Sequence, residues 1–86
     1  MENGGKSDNQ LVADTLSGDK KSLEILVARH LRSVYGLIYR MTDGGRDTED
    51  IVQETFVKAW KKLKSFDREK NFKAWIFAIA RNTAID

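Results

Sequence analysis

The longest periodic run of hydrophobic positions lies between residues 20 and 41, where apolar side chains recur at steps of three and four. This spacing places them on one face of an α-helix. Asp19 stands directly before the run and can accept hydrogen bonds from the first backbone N–H groups of the helix, so it is the predicted N-cap. Residues 42–45 follow and predict a turn. The predicted buried face consists of Leu23, Leu26, Val27, Leu31, Val34, Leu37, Ile38 and Met41.

Two features of this helix carry separate predictions. His30 and Tyr35 border the apolar face rather than lying within it. Gly36 lies inside the helix, where glycine costs up to about 1 kcal/mol relative to alanine. A glycine at such a position predicts the close approach of a neighbouring helix.

A shorter helix is predicted ahead of this one. Asp8 can cap its start, and Gly18 can end it. Residues 1–7 have little apolar content and predict a mobile tail, so the folded domain is expected to span residues 8–86. The apolar face of this short helix consists of Leu11, Val12 and Leu16.

A third helix is predicted to begin at Asp47 or Thr48. Carboxylates occupy its first two turns and lysines its end, which is the arrangement that the helix dipole favours. The carboxylates are Asp47, Glu49, Asp50 and Glu54, and the lysines are Lys58, Lys61, Lys62 and Lys64. The predicted apolar face consists of Ile51, Val52, Thr55, Phe56, Ala59, Trp60 and Leu63.

Residues 65–70 break the periodicity and predict a loop that carries one aromatic side chain, Phe66. Asn71 can cap a fourth helix. No capping signal closes that helix at Asp86, which favours a fragment of a longer protein that ends inside a helix. The apolar face of the fourth helix consists of Phe72, Trp75, Ile76, Ile79 and Ala80, while Lys73, Phe77 and Arg81 lie off it.

These segments predict an all-α fold, a compact bundle of three principal helices plus a short N-terminal helix. No alternating β pattern and no internal repeat competes with this interpretation, and the absence of proline agrees with helices joined by short turns. A chain of 86 residues with 41% hydrophobic and 33% charged residues fits a single small domain with a thin core.

The composition also limits the chemistry and the compartment. The chain has no cysteine, which removes disulfides, thiolate metal sites and thiol nucleophiles. No run approaches the roughly 20 apolar residues that a membrane span needs, and the first ten residues lack the apolar region of a secretory signal. We therefore expect a cytoplasmic protein that does not cross a membrane.

Catalysis is the first function to consider, because Asp47, Asp50 and Glu54 lie at positions i, i+3 and i+7 of one helix. The helix dipole already accounts for acidic residues at a helix start. The single histidine, His30, provides neither a catalytic triad nor a zinc site, and no glycine-rich phosphate loop is present. We expect no enzymatic activity, and no metal or cofactor.

The charges are unevenly divided along the chain. Residues 1–57 hold 7 basic and 10 acidic side chains, a net of −3, and residues 58–86 hold 8 and 3, a net of +5. This division predicts two surfaces, one of them suited to a polyanion. The basic third also holds Phe66, Trp75 and Phe77, a combination that favours single-stranded nucleic acid, although aromatics at helical spacing also form cores.

Two motifs in a fixed order resemble one protein family. Asp50-Ile-Val-Gln53-Glu54 begins the first, and the second runs from Phe72-Lys-Ala-Trp75 to Ala80-Arg81-Asn82. This pattern resembles region 2 of bacterial sigma factors of the extracytoplasmic-function type over residues 8–86. The resemblance implies a promoter-recognition domain that binds the β′ clamp helices of RNA polymerase and captures the melted non-template strand of the −10 element.

The resemblance also implies roles for individual residues. The residues expected to bind core RNA polymerase are Asp50, Gln53 and Glu54, with Ile51 and Lys58 as neighbours. Those expected to bind DNA are Phe66 and Asn82 in a base pocket, with Lys70, Asn71, Lys73 and Arg81 contacting the DNA backbone. Each has a structural alternative: Phe66 could pack as a staple, Asn82 could bond to the backbone, and Trp60 and Trp75 are expected in the core.

Partners and alternatives complete the prediction. The resemblance implies core RNA polymerase, single-stranded promoter DNA and an anti-sigma protein that masks one of the two surfaces. Region 4, the second DNA-binding domain of the family, has no counterpart in residues 1–86. Two other classes stay open: a helix-turn-helix module for duplex DNA, and a protein-interaction domain without a nucleic-acid role.

Overall fold

Four α-helices form the fold in this computed structural model, which describes residues 5–45 and 47–86. They are α1, Asp8–Leu16; α2, Lys20–Met41; α3, Thr48–Lys61; and α4, Phe72–Ile85. A short 3₁₀ helix, Leu63–Ser65, follows α3, and the described residues contain no β-strand. The predicted all-α bundle of three principal helices and one short N-terminal helix is confirmed.

The central element is α2, because it contacts each of the other three helices. Its buried apolar residues, Leu26, Val34 and Ile38, face a core shared with α3 and α4. Ile76 and Ala80 of α4 enter the same core and are fully buried. Burial of these side chains holds the helices together, since each buried aliphatic side chain contributes roughly 1.5–3 kcal/mol.

The residue at the N-terminal cap was predicted correctly for three of the four helices and wrongly for one. Asp19 accepts from the Lys21 N–H at 3.1 Å, and Asn71 accepts from the Ala74 N–H at 2.9 Å. Asp47 occupies the N-cap of α3 without a side-chain hydrogen bond to it. The cap of α1 is Ser7 rather than Asp8, because Ser7 and Gln10 exchange hydrogen bonds in a capping box.

The start of α1 also corrects the predicted tail. Lys6 pairs with Asp14 at 2.8 Å, and Ser7 caps the helix, so both residues belong to the folded unit. Residues 1–4 of the predicted tail lie outside the described residues. Asp8 is then free to pair with α2, where its carboxylate meets Arg29 at 3.0 Å and His30 at 2.9 Å.

Three predictions for α2 fail: the border position of His30, the burial of Leu31 and Met41, and a close helix crossing at Gly36. His30 is buried rather than bordering, because Asp8 supplies a polar partner and Phe72 covers its ring at 5.2 Å between centroids. Leu31 and Met41 are 43% and 41% exposed. Gly36 marks no close crossing, since an added Cβ would meet only the Arg40 guanidinium, at 3.7 Å.

The turn between α2 and α3 was predicted at residues 42–45, and it is confirmed. Gly44 has a φ of +70°, a conformation that favours glycine, and its N–H donates to the Tyr39 carbonyl at 2.8 Å. Thr42 and Thr48 join their hydroxyls across the turn at 2.9 Å. These contacts fix where α3 begins relative to α2.

Candidate functional site

The five α3 residues expected to bind a protein partner do not project in one direction. Asp50, Gln53 and Glu54 are exposed, as a binding role requires. Ile51 is half-buried and packs against the core. At 100° per residue, Ile51 projects from the side of α3 opposite to Gln53.

Lys58 is engaged with α4 rather than with the surface around Gln53. Its Nζ donates to the Thr83 hydroxyl at 3.2 Å and lies 3.8 Å from Asp86. Glu54, one turn earlier on α3, lies 3.4 Å from the same nitrogen. The structure therefore separates Lys58, which contacts α4, and Ile51, which packs on the core, from Gln53, which lines a groove with α2.

Gln53 lines an open groove of about 740 Å³ between α2 and α3. We call this cavity the α2–α3 groove. Its floor is mainly apolar, and Glu49 and Arg32 bring opposite charges to its rim. The lining residues are Ala28, Leu31, Arg32, Tyr35, Gly36, Glu49, Val52 and Gln53.

Large apolar side chains border this groove and were missed as candidate site residues. Leu31 and Tyr35 of α2 are 43% and 37% exposed. Trp60 of α3, expected in the core, is 59% exposed; it lies outside the groove lining, two helical turns after Gln53 on the same side of α3. The interval of seven residues from Gln53 was the available sequence signal for Trp60.

The second predicted surface lies on the loop after the 3₁₀ helix and on α4. Arg68 and Lys70 in the loop and Lys73 and Arg81 on α4 are exposed, and we call these four cations the basic face. A shallow groove of about 430 Å³ runs beside them, and it is lined by Asn71, Lys73, Ala74, Phe77 and Arg81. The Lys73 ammonium lies 5.5 Å from the centre of the Phe77 ring.

Phe66 does not present its ring on this surface. It is 6% exposed, and its ring packs edge-on against Phe72 at 5.5 Å and against Trp75 at 5.1 Å. A base that stacks on a ring needs one free face. The structural alternative, in which Phe66 packs as a staple, therefore describes its placement in the free domain, and its place in a base pocket stays a prediction.

Asn71 and Asn82 occupy different positions around α4. Asn71 uses its side-chain oxygen to cap the helix, which leaves its NH₂ group available. Asn82 is exposed and lies about 100° around the helix from Arg81, on the side of Trp75 two turns earlier. The shallow groove therefore includes Asn71, Lys73 and Arg81 but not Asn82.

Neither surface has the features of a metal site or of a membrane segment. Within residues 5–45 and 47–86, no group of three or more His, Cys, Asp or Glu side chains could hold a metal ion. In the same ranges, none of the helices combines the length and apolar character that crossing a bilayer requires.

The comparison with known protein families identifies the family of the chain. The model of sigma-70 region 2 matches residues 26–86, which is more than half of the chain. This chain is a region 2 domain of an extracytoplasmic-function sigma factor. Domains of this family act in promoter recognition during transcription initiation, as transcription factors of a non-enzymatic type.

Individual relatives agree with this assignment. The domain is similar to the sigma-E factor of Haemophilus influenzae, with 41% identity over 78 residues, and to the sigma-H factor of Pseudomonas aeruginosa, with 35% over 79. These alignments cover 91% and 92% of the chain but 41% of each relative. The chain thus spans about two fifths of the length of the curated relatives it matches.

Two solved structures are similar in fold and sequence. One is an NMR structure of an engineered region 2 of sigmaE in complex with GTAAAA, with a TM-score of 0.85, 40% identity, and coverage of 93% of this chain and 83% of that one. The other is CnrH in complex with the cytosolic domain of CnrY, with a TM-score of 0.83, 35% identity, and coverage of 93% and 52%. Both likenesses extend to α1.

Proposed function

We propose that the domain binds two partners at once: the β′ clamp helices of RNA polymerase in the α2–α3 groove, and the melted non-template strand of the −10 element on the basic face. One observation carries this proposal. An exposed Gln53 lies in the wall of an apolar groove, next to the exposed carboxylates of Asp50 and Glu54. The basic residues collect elsewhere, on the loop and α4.

The α2–α3 groove suits a partner helix. Leu31 and Tyr35 offer apolar and aromatic surface in its lining, the type of residue that dominates binding energy in protein interfaces. Trp60, on the same side of α3 as Gln53, adds exposed aromatic surface outside the lining. Gln53 can donate and accept hydrogen bonds with a partner backbone or side chain. The carboxylates of Asp50 and Glu54 complement arginines on a partner coiled coil, because arginine and carboxylate form charge-assisted pairs.

The basic face suits the backbone of a single strand. Lys70, Lys73 and Arg81 are exposed cations that can meet successive phosphates. Asn71 and Asn82 carry amide groups, which hydrogen-bond to base edges. The bound GTAAAA in the engineered sigmaE domain supports a single-stranded ligand for this chain. We assign Phe66 a supporting role beneath the loop rather than a stacking role.

A regulatory protein is the third proposed partner. In one of the two similar solved structures, CnrH is bound to the cytosolic domain of CnrY. A protein of this kind would silence the domain most simply by filling the α2–α3 groove, because it would cover the exposed apolar side chains of Leu31 and Tyr35 there. It would then compete with the clamp helices.

Titration of the 86-residue chain against an isolated β′ clamp-helix fragment tests the first partner. The double variant Gln53→Ala, Glu54→Ala should bind at least about tenfold more weakly, since it loses a hydrogen-bonding group and a charge that the partner has been shaped to meet. The matched control is Glu24→Ala, which removes an exposed carboxylate from α2 outside the groove. Equal affinity of the double variant and the control would reject the groove as the clamp site.

Fluorescence anisotropy with labelled oligonucleotides tests the second partner. A single strand recovered from a randomised pool by the natural chain should bind more tightly than its own duplex. A preference for duplex would instead favour the helix-turn-helix interpretation. No salt-dependent affinity for either form would favour a protein-interaction domain.

A further inference from the structure

The loop between the 3₁₀ helix and α4 has few contacts of its own. Phe66 and Phe72 anchor its two ends in the core, while residues 67–71 between them are exposed. Inside this span, the Lys70 N–H donates to the Asp67 carbonyl at 2.8 Å, and the Glu69 N–H donates to the Asp67 carboxylate at 3.0 Å. These two bonds close a turn but do not attach it to the rest of the domain.

One side chain from a distant helix makes that attachment. The Asn9 side-chain amide donates a hydrogen bond to the backbone carbonyl of Arg68, which lies in the middle of the turn. Asn9 belongs to the first turn of α1 and precedes Arg68 by 59 residues. The contact therefore joins the N-terminal helix directly to the loop that carries Lys70 and Asn71.

The first turn of α1 is itself firmly held. Ser7 and Gln10 close the capping box with bonds of 3.1 and 2.8 Å. Asp8, the residue next to Asn9, pairs with Arg29 and with the buried His30 of α2. The His30 ring in turn rests on Phe72, where α4 begins. Asn9 thus projects from a backbone that is fixed to both α2 and the start of α4.

We infer that Asn9 is a positioning residue for DNA binding. It holds the Arg68 carbonyl, and with it the turn of residues 67–70, so that Arg68 and Lys70 are presented in one conformation. It does not itself touch the DNA. The inference rests on the proposed binding of single-stranded DNA to the basic face. Ordering the loop before the ligand arrives strengthens binding, because less conformational entropy is lost on association.

The sharpest test is Asn9→Asp, which keeps the size of the side chain and removes its hydrogen-bond donors. We expect about a fivefold loss of affinity for a labelled single strand selected from a randomised pool, since one net hydrogen bond orders the loop. Hydrogen exchange at the Lys70 amide, which bonds within the turn, should become faster. Affinity for the clamp-helix fragment should stay unchanged.

Two further variants separate positioning from charge and from folding. Gln10→Glu adds the same negative charge one residue further along α1, and it keeps the capping box, in which glutamate is a normal partner. It should retain the natural DNA affinity. Asn9→Ala removes the tether without adding charge, and it should lose affinity as Asn9→Asp does, at a temperature where circular dichroism shows both variants folded.

Each outcome decides the inference. Loss of DNA affinity in both Asn9 variants but not in Gln10→Glu, with faster exchange at Lys70, supports the positioning role. Equal loss in Gln10→Glu assigns the effect to charge and overturns it. Natural affinity in both Asn9 variants overturns it while leaving the DNA proposal intact. If the natural chain recovers no strand from the pool, the DNA proposal fails and the positioning role falls with it.

Discussion

The α2–α3 groove and the basic face hold their functional side chains by different means. The groove lies between two long helices whose buried faces are packed together, so the backbone that carries Gln53 and Tyr35 is rigid. The basic face is partly built on an exposed turn that one side chain from α1 attaches. The comparison indicates that the α2–α3 groove is preformed, whereas the turn that carries part of the basic face is held by one contact.

The largest expected effect comes from a substitution that lowers the free energy of unfolding of the whole domain and so weakens both surfaces at once. Ile76 of α4 is fully buried and lies beside Leu26 of α2 and Ala59 of α3. Ile76→Ala should lower the free energy of unfolding by about 2–5 kcal/mol, because it removes buried methyl groups and leaves a cavity. Urea denaturation measures this loss.

Ile85→Ala is the control for that experiment, since Ile85 is 73% exposed on the same helix. Its effect should stay within about 0.5 kcal/mol. A small effect of Ile76→Ala, close to that of Ile85→Ala, would mean that α4 is not packed on α2 and α3 as described.

A substitution at Gly36 should separate the two surfaces. Gly36 lines the α2–α3 groove, and an added Cβ there would meet only the Arg40 guanidinium, at an ordinary contact distance of 3.7 Å. The first atom of a new side chain is therefore accommodated, and Gly36→Leu should place the rest of its side chain in the groove. Affinity for the clamp-helix fragment should fall by at least about tenfold, while affinity for single-stranded DNA should not change.

Gly36→Ala is the matched control for the blocked groove. It should raise the free energy of unfolding by about 0.5–1 kcal/mol, because alanine is the better helix former, and it should leave most of the clamp affinity. Isothermal titration calorimetry and denaturant unfolding give the two quantities. Full clamp affinity in Gly36→Leu would exclude the groove as the binding site.

A smaller effect is expected on the basic face. Arg81→Ala removes one exposed cation, so the slope of log affinity against log salt concentration should fall by about 0.7 for a single strand. The affinity itself should fall a few-fold at moderate salt. Lys21→Ala, which removes an exposed cation from α2, should leave the slope as it is in the natural chain.

Periodicity and caps were sufficient to predict the helices, but not the edges of their apolar faces. Asp19 and Asn71 were identifiable as caps because a cap acts on residues two or three positions away. Leu31 and Trp60 lie at the edges of apolar stripes, and exposure there depends on where the neighbouring helix sits. A single sequence does not show where the neighbouring helix lies.

The candidate site was also predictable only in part. The exposure of Asp50, Gln53 and Glu54 was predictable, since each lies off the apolar face of α3. The bond between Lys58 and Thr83 and the tether between Asn9 and Arg68 were not, because each joins residues far apart in sequence through one polar contact. Such pairs leave no periodic signal.

The smallest expected effect is the dependence of stability on pH. It should change binding at the α2–α3 groove and at the basic face in the same proportion. The Ser22 hydroxyl donates to Asp19 at 2.9 Å, and together with the Lys21 and Ser22 N–H groups it holds the pKa of that carboxyl below its usual 3.8, against the opposing effect of burial. Because the pKa is lower in the folded state, ionised Asp19 stabilises the fold at pH values above the unfolded pKa of 3.8. This stabilisation is lost as the pH falls from 3.8 through the lower pKa of the folded state.

Acid titration of stability checks this sign. Between about pH 5 and about pH 2, Asp19→Asn should lose less stability than the natural chain, because asparagine caps the helix without titrating. Ser22→Ala should also flatten the curve, since it removes the main cause of the lowered pKa. An Asp19→Asn curve as steep as the natural one would show that other carboxylates control the acid transition. Because Asp19 lies in neither the α2–α3 groove nor the basic face, any acid loss it causes should weaken clamp binding and DNA binding in the same proportion.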